Sequence, residues 1–248
     1  MNIKRLIPNL FTMLNLFCGC VAIVFISSSA YTEAFLFVCL GIFFDFFDGF
    51  FARKFNVAGP LGVQLDSLAD MVTSGVAPGF VMYKLLEKVQ PFDTHLICEC
   101  EYFEDLALIP SLGFIITLGA CYRLAKFNID TRQSDSFIGL PTPANCLFIA
   151  SLPIVADTHA DFFAGYLSNQ WILLGITALS AYLMNAEIPL FSLKVKDFSF
   201  AKYRLQVFFL AISVVLLIFL KIVAVPLIIL IYVLLSVINN MVNKKASV

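Results

Sequence analysis

Four aspartates carry the first chemical signal in the chain: Asp45 and Asp48, three residues apart, and Asp66 and Asp70, four apart. Each pair lies in or beside a long apolar run, where a carboxylate is costly to place. On a helix, separations of three and four put both members of a pair on one face, a turn apart. Two consecutive helices joined by a short turn can therefore aim all four carboxylates at one point. Four like charges converging away from bulk water need positive charge among them. Oxygen-only donors suit hard divalent cations, and two Mg²⁺ or Mn²⁺ ions would balance the set. Taken singly, each aspartate reads equally well as a helix-end residue facing water; as a set with matching faces, they read as a metal centre.

The residues around them fit a ligand site. Gly49 and Ala52 share the face of Asp48, and Gly62 stands one turn before Asp66. Small side chains there admit a bulky planar ligand, or a second helix, close to the backbone. Arg53, one turn beyond Gly49, can fork onto a phosphate. Lys54 is accounted for by membrane orientation alone.

The elements that must position these residues follow from composition. Of 248 residues, 60% are apolar and only 13% charged, with 27 Phe and a mean hydropathy of +0.93. Such a chain cannot cover a soluble surface with polar groups, and disorder is excluded by the same numbers. A net charge of −1 gives no nucleic-acid footprint. The expectation is an all-α, polytopic transmembrane bundle of about eight helices in one domain over residues 1–248. Apolar runs place the spans near residues 8–27, 33–53, 66–86, 107–126, 142–157, 168–189, 206–220 and 223–240. With the N-terminus in the cytoplasm, thirteen of the sixteen Lys and Arg residues fall on that side, leaving Lys84, Lys88 and Lys221 outside. The loop between the third and fourth spans is acidic instead. This is the positive-inside pattern of an even number of spans, with both termini and the aspartates toward the cytoplasm. Five of the seven cysteines lie in apolar runs as small buried hydrophobes. Cys98 and Cys100, near His95, are read as loop residues, and His95 and His159 fall across the membrane from the carboxylates.

The segment from Asp45 through Asp48, Gly49, Ala52 and Arg53, then eight residues, then Gly62, Asp66 and Asp70, resembles the signature of the CDP-alcohol phosphotransferase family at every fixed position. Further stretches resemble its membrane-embedded, serine-accepting branch. They are Ile7-Pro8-Asn9 through Thr12, Asn15 and Cys18-Gly19; Asp66-Ser67 through Thr73-Ser74-Gly75 to Pro78; Arg123 to Asn128; and Gly139 to Asn145. The resemblance implies that CDP-diacylglycerol donates its phosphatidyl group to the hydroxyl of L-serine, with release of CMP. It implies that Asp45, Asp48 and Asp66 hold the metals, while Asp70 lies near them and takes the serine proton. It also implies a homodimer in the cell membrane.

Binding roles are drawn more broadly. Asn9, Thr12, Gly49, Ala52, Arg53 and Gly62 are candidates for CDP-diacylglycerol. Arg123 and Lys126, one turn apart, are candidates for the lipid phosphate or the serine carboxylate, with Asn128 and Thr142 as polar lining. Asn9 and Thr12 read equally as helix-start residues around Pro8. Pro141 and Pro143 read as a helix start. The same chemistry could serve glycerol 3-phosphate or an inositol phosphate as acceptor. From another class, a cation transporter would also use intramembrane carboxylates, but it is expected to reach the midplane or both faces, often with repeats. Here all four aspartates lie to one side.

Overall fold

Long apolar runs without interior breakers become long helices. The computed structural model describes residues 3–89, 108–130, 137–158, 165–191 and 204–246. Cys98, Cys100, His95 and His159 lie outside the described residues. Helix α1 (Ile3–Ser27) begins five residues before the expected span and runs through Pro8, so the first turn is not set by that proline. After a turn in which Ser29 takes a positive φ, α2 (Tyr31–Lys54) returns antiparallel to it. The seam between the two is aromatic at the end that carries the aspartates. Phe11 stacks on Phe51 at 5.2 Å and on Phe47 at 6.0 Å. Phe47 and Phe51 occupy the face next to Asp45 and Asp48, so this contact also fixes the rotation of α2.

A short turn leads to α3 (Pro60–Asp70), with Pro60 in its first turn, where a missing N–H costs nothing. The helix then widens into a π-helical turn, Met71–Val76, before resuming as α4 (Ala77–Val89). The expected third span thus becomes one rod with a slip in its register. Next come α5 (Leu108–Ser111), a 3₁₀ turn at Leu112–Phe114 and α6 (Ile115–Ile129). Helix α7 (Thr142–Thr158) starts between Pro141 and Pro143, as read from the sequence. A single turn, α8 (Gly165–Leu167), precedes α9 (Gln170–Asn185), whose N-cap Asn169 accepts from the Trp171 N–H. Helices α10 (Arg204–Leu220) and α11 (Ala224–Ala246) are joined by a 3₁₀ turn at Lys221–Val223, where Lys221 has a φ of 50°.

The sequence pattern did not show a small antiparallel pair, β1 (Phe137–Ile138) with β2 (Pro189–Leu190), registered Phe137 to Leu190 and Ile138 to Pro189. It ties the connection before α7 to the one after α9. Gly139 serves the tight approach: its φ is +75°, and a Cβ there would stand 3.1 Å from the Ala186 carbonyl oxygen. Asn240 of α11 donates to the Pro189 carbonyl at 2.6 Å, bringing the C-terminal helix to the same end.

The core runs between α1, α2, α4, α6, α7, α9 and α11, through Ile26, Val38, Val81, Met82, Leu86, Ile116, Ile149, Leu173 and Met184. Its outer surface carries many large apolar side chains: Phe17, Val24, Phe46, Leu118, Trp171 and Phe219 are all exposed. Among the described residues, Leu6–Ser27, Tyr31–Lys54, Leu108–Ile129 and Leu205–Met241 are long and apolar enough to cross a membrane. This is an all-α membrane protein.

One close approach sets the depth at which α1 meets the π turn. A Cβ on Gly19 would collide with the Thr73 hydroxyl and stand 2.9 Å from its Cα. Gly19→Ala is therefore expected to destabilise the detergent-solubilised protein by about 1–3 kcal/mol, as overpacking does elsewhere. Its thermal midpoint should fall below that of the parent; an unchanged midpoint would contradict this packing.

Candidate active site

The aspartates meet where α2 ends and α3 begins. Ligand oxygens of Asp45, Asp48 and Asp66 all lie within 4.8 Å of one another. Asp48 is buried, and the other two are half-buried. This donor set is all oxygen and concentrated at one point, so it fits a hard divalent cation. Asp70 lies one turn further along α3 and within Coulomb reach of both Asp45 and Asp66.

Helix α1 orients two of the four carboxylates. The Thr12 hydroxyl donates to Asp48 Oδ2 at 2.6 Å and lies 3.2 Å from the Pro8 carbonyl. One turn on, Asn15 Nδ2 donates to Asp70 Oδ1 at 3.1 Å. The spacing of Thr12 and Asn15 thus matches the depth of Asp48 and Asp70 across the helix seam. Sequence reasoning placed Thr12 with the nucleotide and gave Asn15 no role. The available signal was an asparagine in the middle of an apolar span, which must find a polar partner.

The π turn is anchored from three sides. Thr73 Oγ1 donates to the Asn15 carbonyl at 3.0 Å, Thr117 Oγ1 of α6 donates to the Gly75 carbonyl at 2.9 Å, and Cys146 Sγ of α7 donates to the Thr73 carbonyl at 3.3 Å. Widening a helix turn frees backbone carbonyls from the usual ladder, and side chains of neighbouring helices take them up here.

The remaining expected residues divide by environment. Asn9, Ala52 and Gly62 are partly open, and a Cβ on Gly62 would meet nothing within 4 Å. Gly49 lies beneath the exposed Arg53, whose Nη1 would be 3.3 Å from a Cβ there. Arg53 itself is within Coulomb reach of Asp48. Arg123 of α6 is buried, with its charge facing Asp70, and its Nε has no hydrogen-bond partner among the described residues. Lys126 turns to Glu187, 3.5 Å away, and Asn128 Nδ2 donates to Ser67 Oγ at 2.8 Å. Thr142 is buried at the start of α7. The structure therefore brings Asp45, Asp48, Asp66, Asp70, Thr12 and Arg123 together, and holds Lys126 in a separate ion pair.

Known proteins are similar to this chain over most of its length. The family model for CDP-alcohol phosphatidyltransferase matches residues 5–184, which include every residue named in this site except Glu187 of the Lys126 ion pair. A CDP-diacylglycerol–serine O-phosphatidyltransferase of Helicobacter pylori is 32% identical over 218 residues, covering 87% of this chain and 82% of that protein. One of Bacillus subtilis is 37% identical over 147 residues, covering 58% of this chain and 75% of its own length. An archaetidylserine synthase of Methanothermobacter thermautotrophicus is 28% identical over 176 residues, covering 70% of this chain and 66% of its own. With four carboxylates at the family's spacing and the matched region spanning most of its length, the chain belongs to the CDP-alcohol phosphatidyltransferase family.

Proposed function

We propose that this protein transfers the phosphatidyl group of CDP-diacylglycerol to the hydroxyl of L-serine, giving phosphatidylserine and CMP. The observation that carries the reading is the convergence of Asp45, Asp48 and Asp66, with Asp70 held beside them by Asn15. The names of the relatives support serine as the acceptor.

In this reading Asp45, Asp48 and Asp66 hold two divalent cations, Mg²⁺ or Mn²⁺. When bound, the ions supply charge neutralisation for the diphosphate and the departing CMP. The serine hydroxyl oxygen attacks the phosphatidyl phosphorus, and the bond from that phosphorus to the CMP oxygen breaks. Asp70 accepts the hydroxyl proton. Asn15 occupies Oδ1 of Asp70 as a hydrogen-bond donor, so Oδ2 is the oxygen left for the proton. Asn9, Gly49, Ala52, Arg53 and Gly62 line the approach of the nucleotide and lipid diphosphate, with Arg53 as the cationic group. Thr12 acts through Asp48, and Arg123 faces the acceptor side.

The site lies at cytoplasmic depth in a cell membrane, with eight spans and both termini on the same side. The hydrogen bond from Asn240 to Pro189 supports the even count, because it brings α11 to the end where Lys126 and Glu187 pair. The two acyl chains stay in the bilayer while the head group reaches the carboxylates. A homodimer is part of the same reading.

Purified protein in detergent with CDP-diacylglycerol, Mn²⁺ or Mg²⁺ and labelled alcohols tests it. CMP release with labelled serine entering lipid is the expected result. Release with glycerol 3-phosphate or an inositol phosphate alone would replace the acceptor. Folded protein inactive with every alcohol would return the carboxylates to the transporter reading.

A further inference from the structure

Five buried polar atoms around the π turn have no hydrogen-bond partner among the described residues: Asn15 Oδ1, whose side chain is already held through Nδ2 on Asp70, Ser74 Oγ, Arg123 Nε, and Nδ2 and Oδ1 of Asn145. Ser74 and Asn145 are fully buried, and Arg123 is 8% exposed. Leaving polar groups buried and unpaired is costly, and natural interiors rarely do so without a reason.

The helices that carry them are seated on one turn. Helix α6 docks through Thr117 on the Gly75 carbonyl, with Ala120 packed against Gly75. Arg123 follows Ala120 by one turn toward the carboxylates, where it lies within Coulomb reach of Asp70. Helix α7 docks through Cys146 on the Thr73 carbonyl. Asn145 immediately precedes that contact and shares its inward side with Thr142. Ser74 belongs to the π turn itself, four residues beyond Asp70.

We infer that Ser74, Arg123 and Asn145 form the cradle that reads the α-carboxylate and α-ammonium of an amino-acid acceptor. The inference rests on the serine-transfer reading and adds the groups that select the acceptor. The guanidinium, the Ser74 hydroxyl and Asn145 Nδ2 donate to the two carboxylate oxygens. Asn145 Oδ1 accepts from the ammonium. One cation with neutral donors and an acceptor matches a zwitterion carrying a single carboxylate. A phosphate acceptor brings about two negative charges against the single guanidinium, and no ammonium for Asn145 Oδ1. With its head group held here, the side-chain hydroxyl of the amino acid is directed to Asp70.

The test compares the parent protein with Ser74→Ala, Asn145→Ala and Asn145→Asp, using L-serine and ethanolamine as acceptors. Ethanolamine keeps the hydroxyl and the ammonium but lacks the carboxylate. The expected result is a KM for L-serine raised roughly tenfold to a hundredfold in each variant, as for a lost hydrogen bond to a charged group. The KM for CDP-diacylglycerol should stay within about twofold. The preference for serine over ethanolamine should shrink by the same factor as the serine loss in Ser74→Ala and Asn145→Asp, and by only part of it in Asn145→Ala, which also loses the ammonium contact that ethanolamine shares. Asn145→Asp keeps the side-chain volume and repels the carboxylate, so it gives the answer if the alanine variant does not fold. An unchanged serine KM overturns the inference. So does a loss shared equally by both acceptors and by CDP-diacylglycerol, which would mark these residues as structural. A parent protein that releases CMP only with a phosphate-bearing alcohol overturns the serine reading itself, a result visible before any variant is made.

Discussion

Asp70→Asn loses serine-dependent CMP release by about a hundredfold to ten-thousandfold, the usual contribution of a positioned general base. The substitution is nearly isosteric, and the local frame does not depend on the charge. Asp70 ends α3 just before a turn pinned by Thr73, Thr117 and Cys146. The new amide can present its oxygen to Asn15 Nδ2 as the carboxylate does now. What it cannot do is accept the hydroxyl proton. The folded fraction and the affinity for CDP-diacylglycerol should both be retained, because the nucleotide side of the site lies at α2 and the start of α3. Single-turnover CMP release measured beside equilibrium binding of the lipid nucleotide separates the two. Turnover within a factor of a few of the parent would remove Asp70 from the proton transfer.

The second large effect belongs to Asp45→Ala, and it is of a different kind. Asp45 contributes one of the three carboxylates whose oxygens lie within 4.8 Å. Its loss should shift the midpoint of a Mn²⁺ titration by at least about tenfold to a hundredfold, a cost that losing an outer-shell partner of a metal ligand already carries. Activity should return in part at high metal concentration, which is not expected for Asp70→Asn. A titration midpoint equal to the parent's would exclude Asp45 from the metal set.

The contrast between these variants reflects what was readable in the chain and what was not. The aspartate spacing and the apolar runs are local or additive signals. They placed the carboxylates and located the helices to within a few residues at most boundaries. The π turn has no comparable signature: Val72, Thr73, Ser74 and Gly75 weaken a helix without saying how it will adjust. The contacts that hold the wider turn are long-range, from Thr117 and Cys146 onto its carbonyls and from its own Thr73 hydroxyl onto the Asn15 carbonyl. Asn15 and Asn145 carried a weak signal as amides within apolar runs. Their partners are 55 residues away in one case and absent from the described residues in the other, so periodicity alone could not assign them. The strand pair was hidden for a similar reason, since two residues on each side are too short for an alternating pattern. Lys126 looked equivalent to Arg123 in sequence, being one turn away. Burial separates them: Arg123 is turned inward to Asp70, whereas Lys126 is drawn to Glu187.

The widened turn between α3 and α4 also bears on how this chain can vary. In an uninterrupted helix every residue keeps a common angular phase, so adjusting one end to a new neighbour rotates the other. The extra residue in Met71–Val76 decouples the two phases. Helix α4 can thus turn Val81, Met82, Leu85 and Leu86 into the core while Asp66 and Asp70 keep their aim. Removing one residue from the turn would restore the ordinary period and withdraw the carbonyls of Thr73 and Gly75 from Cys146 and Thr117. A deletion between Met71 and Val76 should therefore be lethal to activity, and one beyond Val76 should instead turn the buried face of α4 out of the core.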